Sequence, residues 1–100
     1  MIYRKTLEIK PLHNNPREIR KKDFERLCKS IEENKEYFEA RPIILSDRTG
    51  DLVAIAGNQR LKAAIHLGIE EVPTHLLSNL SEEKEREIII RDNVSDGSWD

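Results

Sequence analysis

The sequence has a single cysteine, Cys28, and no long apolar run. A lone thiol can form neither an intramolecular disulfide nor a cysteine-based zinc site, and such sparing use of cysteine is typical of a reducing compartment. No segment approaches the roughly 18 apolar residues of a membrane span, and the first residues lack the apolar core of a signal peptide. We therefore expect a soluble, cytoplasmic protein without a membrane partner.

The chain also has little material for a large core, because it has only 100 residues, of which 37% are hydrophobic and 36% are charged. A chain of this length buries roughly 60% of the surface that its unfolded form exposes. This predicts one domain over residues 1–100 with one modest core. A functional site is then expected on the surface or in a shallow groove, because a deep private cavity would need more chain.

Charge of one sign is not in large excess, since the net charge is only −2, but the charges are unevenly distributed. Residues 1–30 hold nine Lys and Arg against four Asp and Glu, whereas residues 31–100 hold eight against fifteen. The basic run PREIRKK at residues 16–22 has two interpretations. It could contact phosphate groups, or it could be a solvated face of the domain.

Short apolar segments bounded by turn residues predict the strands. Residues 6–9 (TLEI) alternate between apolar and polar side chains, as in a half-buried strand. RPIILS and DLVAIA are separated by DRTG, where Gly50 can take the positive φ of a tight turn, and they predict a β-hairpin. Residues 70–77 (EEVPTHLL) predict a further strand, in which Pro73 indicates an edge position.

Helical spacing predicts the remaining elements. A helix from Asp23 carries an apolar stripe on which Cys28 lies, so this thiol is interpreted as a small core residue. A second helix follows Gly57 and ends at Gly68, and a third begins after Ser81, a suitable N-cap. The order of elements predicts an α+β fold, with a small mixed sheet packed with three to four helices.

The segment AIAGNQRLKAA at residues 54–64 raises an electrostatic question. It places Arg60 and Lys62 near the start of a helix, where the positive end of the helix dipole disfavours cations, and no acid is nearby in sequence. A strand, a glycine and a helix start also expose the unpaired N–H groups of residues 58–61, which suit an anion. Either an anion binds there, with Arg60 as its ligand, or both cations lie along the surface with their charges in water.

Several motifs then resemble one family in their order along the chain. The box GNQRLKAA resembles the G-x-x-R-x-[RK]-A box of the ParB-like domain, the N-terminal domain of chromosome-partitioning proteins, in a superfamily shared with sulfiredoxin. NNPR, LCKSIEEN and RPIIL precede the box, and LGIEEVP and RDN follow it. The chain resembles more closely the ParB-like domains of phages and mobile elements, which often occur near DNA-modification methylases.

The resemblance implies a nucleotide site. In the partitioning proteins the box contacts the phosphates of CTP, which implies phosphate binding by Gly57, Asn58, Gln59 and Arg60. The family's late E-N-x-x-R motif aligns with residues 92–96 and implies that Asp92 and Asn93 lie near the phosphates and Mg²⁺. Two further basic residues are expected to line the nucleotide pocket or to contact DNA, namely Arg17 and Lys62.

Two departures from the family pattern limit this interpretation. Gln59 and Asp96 stand where many partitioning proteins have arginine, so two positive charges for a triphosphate are missing, and hydrolysis is in doubt. Asn58 stands where sulfiredoxins have their catalytic cysteine, and an amide cannot perform thiolate chemistry. We therefore do not expect a sulfiredoxin.

Three functional classes remain open. The first is a nucleotide-binding module associated with partitioning, DNA binding or DNA modification, acting on DNA directly or through a further domain, and forming a homodimer. The second is a metal-dependent nuclease or nucleotide hydrolase, with Asp92 as the candidate catalytic acid. The third is a non-catalytic docking or specificity domain for a DNA methylase. The chain is expected to be an N-terminal part of a longer protein. Asn93 also has an alternative to its role near Mg²⁺, because it could instead be the C-cap of the last helix.

Overall fold

The computed structural model describes residues 1–12 and 19–95, which form a four-stranded mixed sheet with four helices, an α+β fold. The strands are β1 (Ile2–Lys5), β2 (Ile43–Ser46), β3 (Val53–Ala56) and β4 (Glu71–Leu77). The helices are α1 (Lys21–Glu33), α2 (Lys35–Ala40), α3 (Asn58–His66) and α4 (Glu82–Ser95). Among these helices, none combines the length and the hydropathy that crossing a membrane requires.

The sheet has the strand order β1-β4-β2-β3. β1 pairs antiparallel with β4, and β2 pairs antiparallel with β3, which confirms the predicted hairpin. β2 and β4 run parallel, with Ile43 opposite Thr74. Parallel neighbours require a long connection, and here the chain between β2 and β4 contains β3 and α3.

The strand predicted at residues 6–9 is wrong. The first strand covers the preceding residues, and Thr6–Glu8 forms a 3₁₀ turn instead. Thr6 is buried because its N–H donates to the Glu70 carbonyl at 2.8 Å and its Oγ1 donates to the Ile69 carbonyl at 2.6 Å. These contacts with a distant segment bend the chain and leave Leu7 94% exposed. The alternation of apolar and polar side chains at residues 6–9 therefore does not indicate a strand here.

The predicted edge position of the last strand is also wrong, since β4 lies between β1 and β2. Pro73 faces Tyr3 of β1, and the pairing with β2 begins one residue later, at Thr74. The proline, which has no N–H to donate, therefore lies where β4 has a partner strand on one side. A central strand can accommodate proline at such a position.

The hydrophobic core lies between the sheet and helices α1 and α3. Leu27, Cys28 and Ile31 of α1 are buried in it, which confirms the predicted stripe and the core role of the thiol. Burial is the main cause that raises the pKa of Cys28, so the thiol stays protonated and unreactive. The short α2 was not predicted separately, and it contributes Phe38 to the same core.

Helix α4 packs against β3. Its start confirms Ser81 as the N-cap, since the Lys84 N–H donates to Ser81 Oγ at 3.1 Å. The helix continues through Asn93 to its last residue, so the interpretation of Asn93 as a C-cap is wrong. Successive side chains of a strand point to opposite faces. Ser46, next to the core residue Leu45 on β2, correspondingly points to α4.

Candidate functional site

The junction between β3 and α3 depends on Gly57. This residue is the N-cap of α3 and has a φ of +83°, a conformation that L side chains rarely adopt. A Cβ atom at this position would lie 2.9 Å from Arg60 Nη2 and 3.3 Å from the Ile43 Cα. Two independent constraints, backbone conformation and space, therefore require glycine here.

The side chain of Arg60 folds back toward the start of α3 and lies across Gly57. Helical side chains lean toward the N-terminus of their helix, which makes this approach possible from the third position of α3. Arg60 is only 6% exposed, and its guanidinium passes beside the Gly57 Cα. The cation of the motif is thus held at the positive end of the helix dipole, rather than extended into water.

The acid that the local sequence lacks comes from α4. Asp92 Oδ2 accepts a hydrogen bond from the Gly57 N–H at 3.4 Å, across 35 positions of sequence. A carboxylate at a helix N-terminus is favoured by roughly 0.3–1 kcal/mol at an exposed site. This hydrogen bond and the approach of Arg60 bring Asp92 and Arg60, two of the predicted site residues, to a third, Gly57. The carboxylate supplies an anion at the start of α3.

The side chain of Asn58 is used within the fold. Its Oδ1 accepts from the Leu12 N–H at 2.8 Å, and its Nδ2 donates to the Ala54 carbonyl at 2.8 Å. The amide therefore connects the N-terminal segment to β3. Any contact of Asn58 with a phosphate would come from its backbone N–H.

A shallow groove lies beside the junction. Gln59 is 8% exposed and lines this groove, whose volume is about 370 Å³. The lining residues are Pro11, Leu12, Asn58, Gln59, Leu61, Lys62 and Ile65. A groove of this kind is the type of site that the chain length predicts.

Lys62 is directed away from Gly57. Residues two apart on an α-helix point about 200° apart, so Arg60 and Lys62 lie on different sides of α3. The Lys62 ammonium lies 5.6 Å from the ring centroid of Phe24 on α1, which is cation–π geometry. The ring of His66 meets the same phenyl ring edge-on at 5.6 Å. The sequence did not predict this cluster, because its members belong to two separate helices.

Some of the predicted site residues cannot be placed. Arg17 and Asp96 lie outside the described residues, as does the side chain of Asn93. In the described part of the chain, His, Cys, Asp and Glu form no group of three that could hold a metal ion. Mg²⁺ is often held by one or two carboxylates together with substrate phosphates, and Asp92 fits that kind of arrangement.

A second polar cluster holds the first half of α4. Glu85 Oε2 accepts from Ser46 Oγ at 2.8 Å and from Arg48 Nε at 3.0 Å. Burial alone would raise the pKa of Glu85, but the hydrogen bonds from Arg48 and Ser46 outweigh burial and lower it. Sequence patterns did not indicate this cluster, because its three residues come from β2, the hairpin turn and α4. The cluster fixes α4 upstream of Asp92.

Comparison with known proteins identifies the class to which this fold belongs. The fold is similar to that of the sulfiredoxin from Arabidopsis thaliana, with 17% identity, a TM-score of 0.66, and coverage of 88% of this chain and 94% of that one. The sequence matches the ParB N-terminal domain family over residues 3–94. The chain therefore belongs to the ParB N-terminal domain family, and the predicted family and fold are confirmed. A search of curated proteins found no match.

Two solved structures of a family member extend the comparison. The C-terminally truncated chromosome-partitioning protein ParB from Caulobacter crescentus, complexed with CTP-gamma-S, is 28% identical with a TM-score of 0.77, over 94% of this chain and 52% of that one. The same protein complexed to the centromeric parS site is 24% identical with a TM-score of 0.75, over 100% of this chain and 50% of that one. This chain spans about half the length of these ParB chains.

Proposed function

We propose that this chain is the nucleotide-binding domain of a DNA-partitioning or DNA-modification system and binds the phosphates of CTP at the start of α3. The observation that carries the proposal is the buried Arg60 guanidinium, which lies across Gly57 at a helix N-terminus. The similar ParB structure contains CTP-gamma-S, which supports the choice of nucleotide.

The physical chemistry of the junction suits a phosphate. The first N–H groups of an α-helix have no partner within the helix, and the dipole makes that end electropositive. Arginine adds a planar set of donors that matches phosphate oxygens. Absence of a side chain on Gly57 lets an anion approach the backbone closely. We propose that Gly57, Asn58 and Gln59 contribute backbone N–H groups and that Arg60 contributes its side chain.

Mg²⁺ forms part of this proposal, as an ion that arrives with the nucleotide. Asp92 would supply one carboxylate oxygen, with Asn93 beside it on α4, and the phosphates would supply others. The ion would neutralise part of the phosphate charge, which matters in a site that has Gln59 in place of a second arginine.

DNA association is the second part of the proposal. The related ParB has been solved on the parS site, which supports a role on DNA, either directly or through a further domain. Arg17 is proposed to contact DNA or to line the nucleotide pocket. Lys62, which is directed away from Gly57, is proposed to contact DNA. We also propose that the domain acts as a homodimer and belongs to the phage or mobile-element type.

The metal-dependent nuclease gains no support from the site. A nuclease of this kind needs several acids around its metals, and the described residues contain no group of three or more such ligands. A docking domain for a methylase need not bind a nucleotide, so nucleotide binding distinguishes it from our proposal.

The test is a titration of the protein with CTP, ATP, GTP and UTP, each with Mg²⁺, followed by amide NMR. We expect shifts at residues 57–61 and 91–92, largest with CTP. Arg60→Lys keeps the charge but removes the planar donor set, so it should weaken binding about tenfold. Arg26→Lys is the matched control, because Arg26 lies on α1 with its side chain 80% exposed, and it should bind as the wild type does.

Three results would contradict the proposal. A lack of response to every nucleotide at millimolar concentration would favour the docking domain. Shifts that avoid residues 57–61 would place nucleotide binding elsewhere on the molecule, and equal affinity of the wild type and Arg60→Lys would remove Arg60 from the site.

A further inference from the structure

The Asp92 carboxylate accepts from one of the backbone N–H groups that the proposed function gives to a phosphate. The donor is the N–H of Gly57, the residue that caps α3. The donor–acceptor distance of 3.4 Å exceeds the usual 2.9–3.0 Å of a good N–H···O bond. A phosphate oxygen at the usual distance would therefore make a stronger hydrogen bond with this N–H than the carboxylate does.

We propose that Asp92 is a built-in competitor of phosphate at this site. The proposal rests on the proposed nucleotide function and concerns its regulation. One N–H group cannot donate fully to a carboxylate and to a phosphate at once. Two anions at the same helix end also repel each other, and water screens them poorly where the neighbouring Arg60 is buried. A phosphate that enters without a cation must therefore displace the carboxylate.

The anchoring of α4 determines how such a displacement takes place. Glu85 holds the first half of the helix through Ser46 and Arg48, and its side chain is only 13% exposed. Asp92 lies two turns farther along the same helix, beyond this anchor. Displacement of Asp92 is thus confined to the last turns of α4, while the start of the helix keeps its contacts.

Asp92→Asn is the variant that isolates this competition. The amide has nearly the same shape, and its oxygen can still accept from the Gly57 N–H, but it carries no charge. Inorganic tripolyphosphate in metal-free buffer is the probe, because it has no base to recognise and excludes any role of Asp92 toward Mg²⁺. We expect Asp92→Asn to bind tripolyphosphate about tenfold more tightly than the wild type does.

Glu83→Gln is the matched control. Glu83 lies nine residues before Asp92 on α4, which places it about 180° around the helix, and the substitution changes the net charge equally. It should leave the affinity for tripolyphosphate unchanged. Asp92→Ala removes both the hydrogen bond and the charge, and it should also bind more tightly. This second variant tests the proposal if Asp92→Asn does not fold.

Calorimetry gives the affinities, and the Gly57 amide resonance reports whether binding occurs at this site. Tighter binding by both Asp92 variants, with Glu83→Gln unchanged, supports the competition. If the wild type and the Asp92 variants bind equally, the competition is refuted and the nucleotide function stands. If neither tripolyphosphate nor Mg²⁺–CTP binds to any of the proteins, the proposed function is refuted and the competition with it.

Discussion

Two constraints require glycine at position 57, namely a positive φ and a lack of space for a Cβ atom, and experiment can separate them. Its φ of +83° disfavours any L side chain, and a Cβ there would lie 2.9 Å from the Arg60 guanidinium. Gly68, at the other end of α3, has a φ of +73°, but a Cβ there would have no neighbouring atom within 4 Å. Substitution of Gly68 therefore measures the effect of the positive φ alone.

We expect Gly57→Ala to destabilise the fold more than Gly68→Ala does. The positive φ alone should cost about 1 kcal/mol in Gly68→Ala. The additional contact with Arg60 and the Ile43 backbone should raise the cost in Gly57→Ala to about 2–4 kcal/mol. Urea unfolding of both variants provides the measurement. Equal losses of stability would show that Arg60 does not restrict the space above Gly57.

The residues of the box could be predicted because they are adjacent in sequence. A strand, a glycine and an amphipathic helix follow one another, and their backbone geometry is local. The position of Asp92 at Gly57 could not be predicted from local pattern, because the contact spans 35 positions and depends on how α4 packs on β3. The motif resemblance placed Asp92 near the phosphates but did not indicate its hydrogen bond to Gly57.

At the scale of elements, the anchoring of α4 by Glu85 predicts a dependence of stability on pH. The hydrogen bonds of Glu85 lower its folded-state pKa from the usual 4.5. The stabilisation is therefore complete above about pH 4.5 and is lost as the pH falls through the folded-state pKa. Glu85→Gln should be less stable than the wild type by about 1–2 kcal/mol at pH 7 and should depend less on acidic pH.

Glu82→Gln provides the control for this measurement. Glu82 also lies in the first turn of α4, but its ion pair with Arg86 is exposed, with both side chains 67% accessible. Its removal should cost less than about 0.5 kcal/mol. Chemical denaturation from neutral to acidic pH gives both results. A parallel decline of stability for the wild type and Glu85→Gln would assign the acid sensitivity to other carboxylates.

The elements that were mispredicted share one physical cause. Residues 6–9 alternate as a strand does, yet the buried Thr6 bonds to the carbonyls of residues 69 and 70 and turns the chain. Pro73 indicated an edge strand, yet the stagger of β2 leaves room for it in the centre of the sheet. In each case a neighbour distant in sequence decided the outcome. The hairpin and the amphipathic α1, whose patterns are local, were predicted correctly.

At the scale of the whole molecule, the packing predicts an order of local stability. β4 has a strand on either side, and α3 packs between α1 and the sheet, whereas α4 packs mainly against β3. Native-state hydrogen exchange should therefore show the slowest amides in β4, β2 and α3, and faster exchange in α4 through local opening. Exchange in α4 as slow as in β4 would contradict this order.

The place of β4 in the sheet has a consequence for synthesis of the protein. β1 is made first and β4 last among the strands, yet Ile2 pairs with Thr74. At roughly 5–20 residues per second, the first strand waits about 4–14 s for its partner to be translated. The hairpin of β2 and β3 can form during that interval. The sheet is then completed at its centre, because β4, the last strand to be made, inserts between β1 and β2.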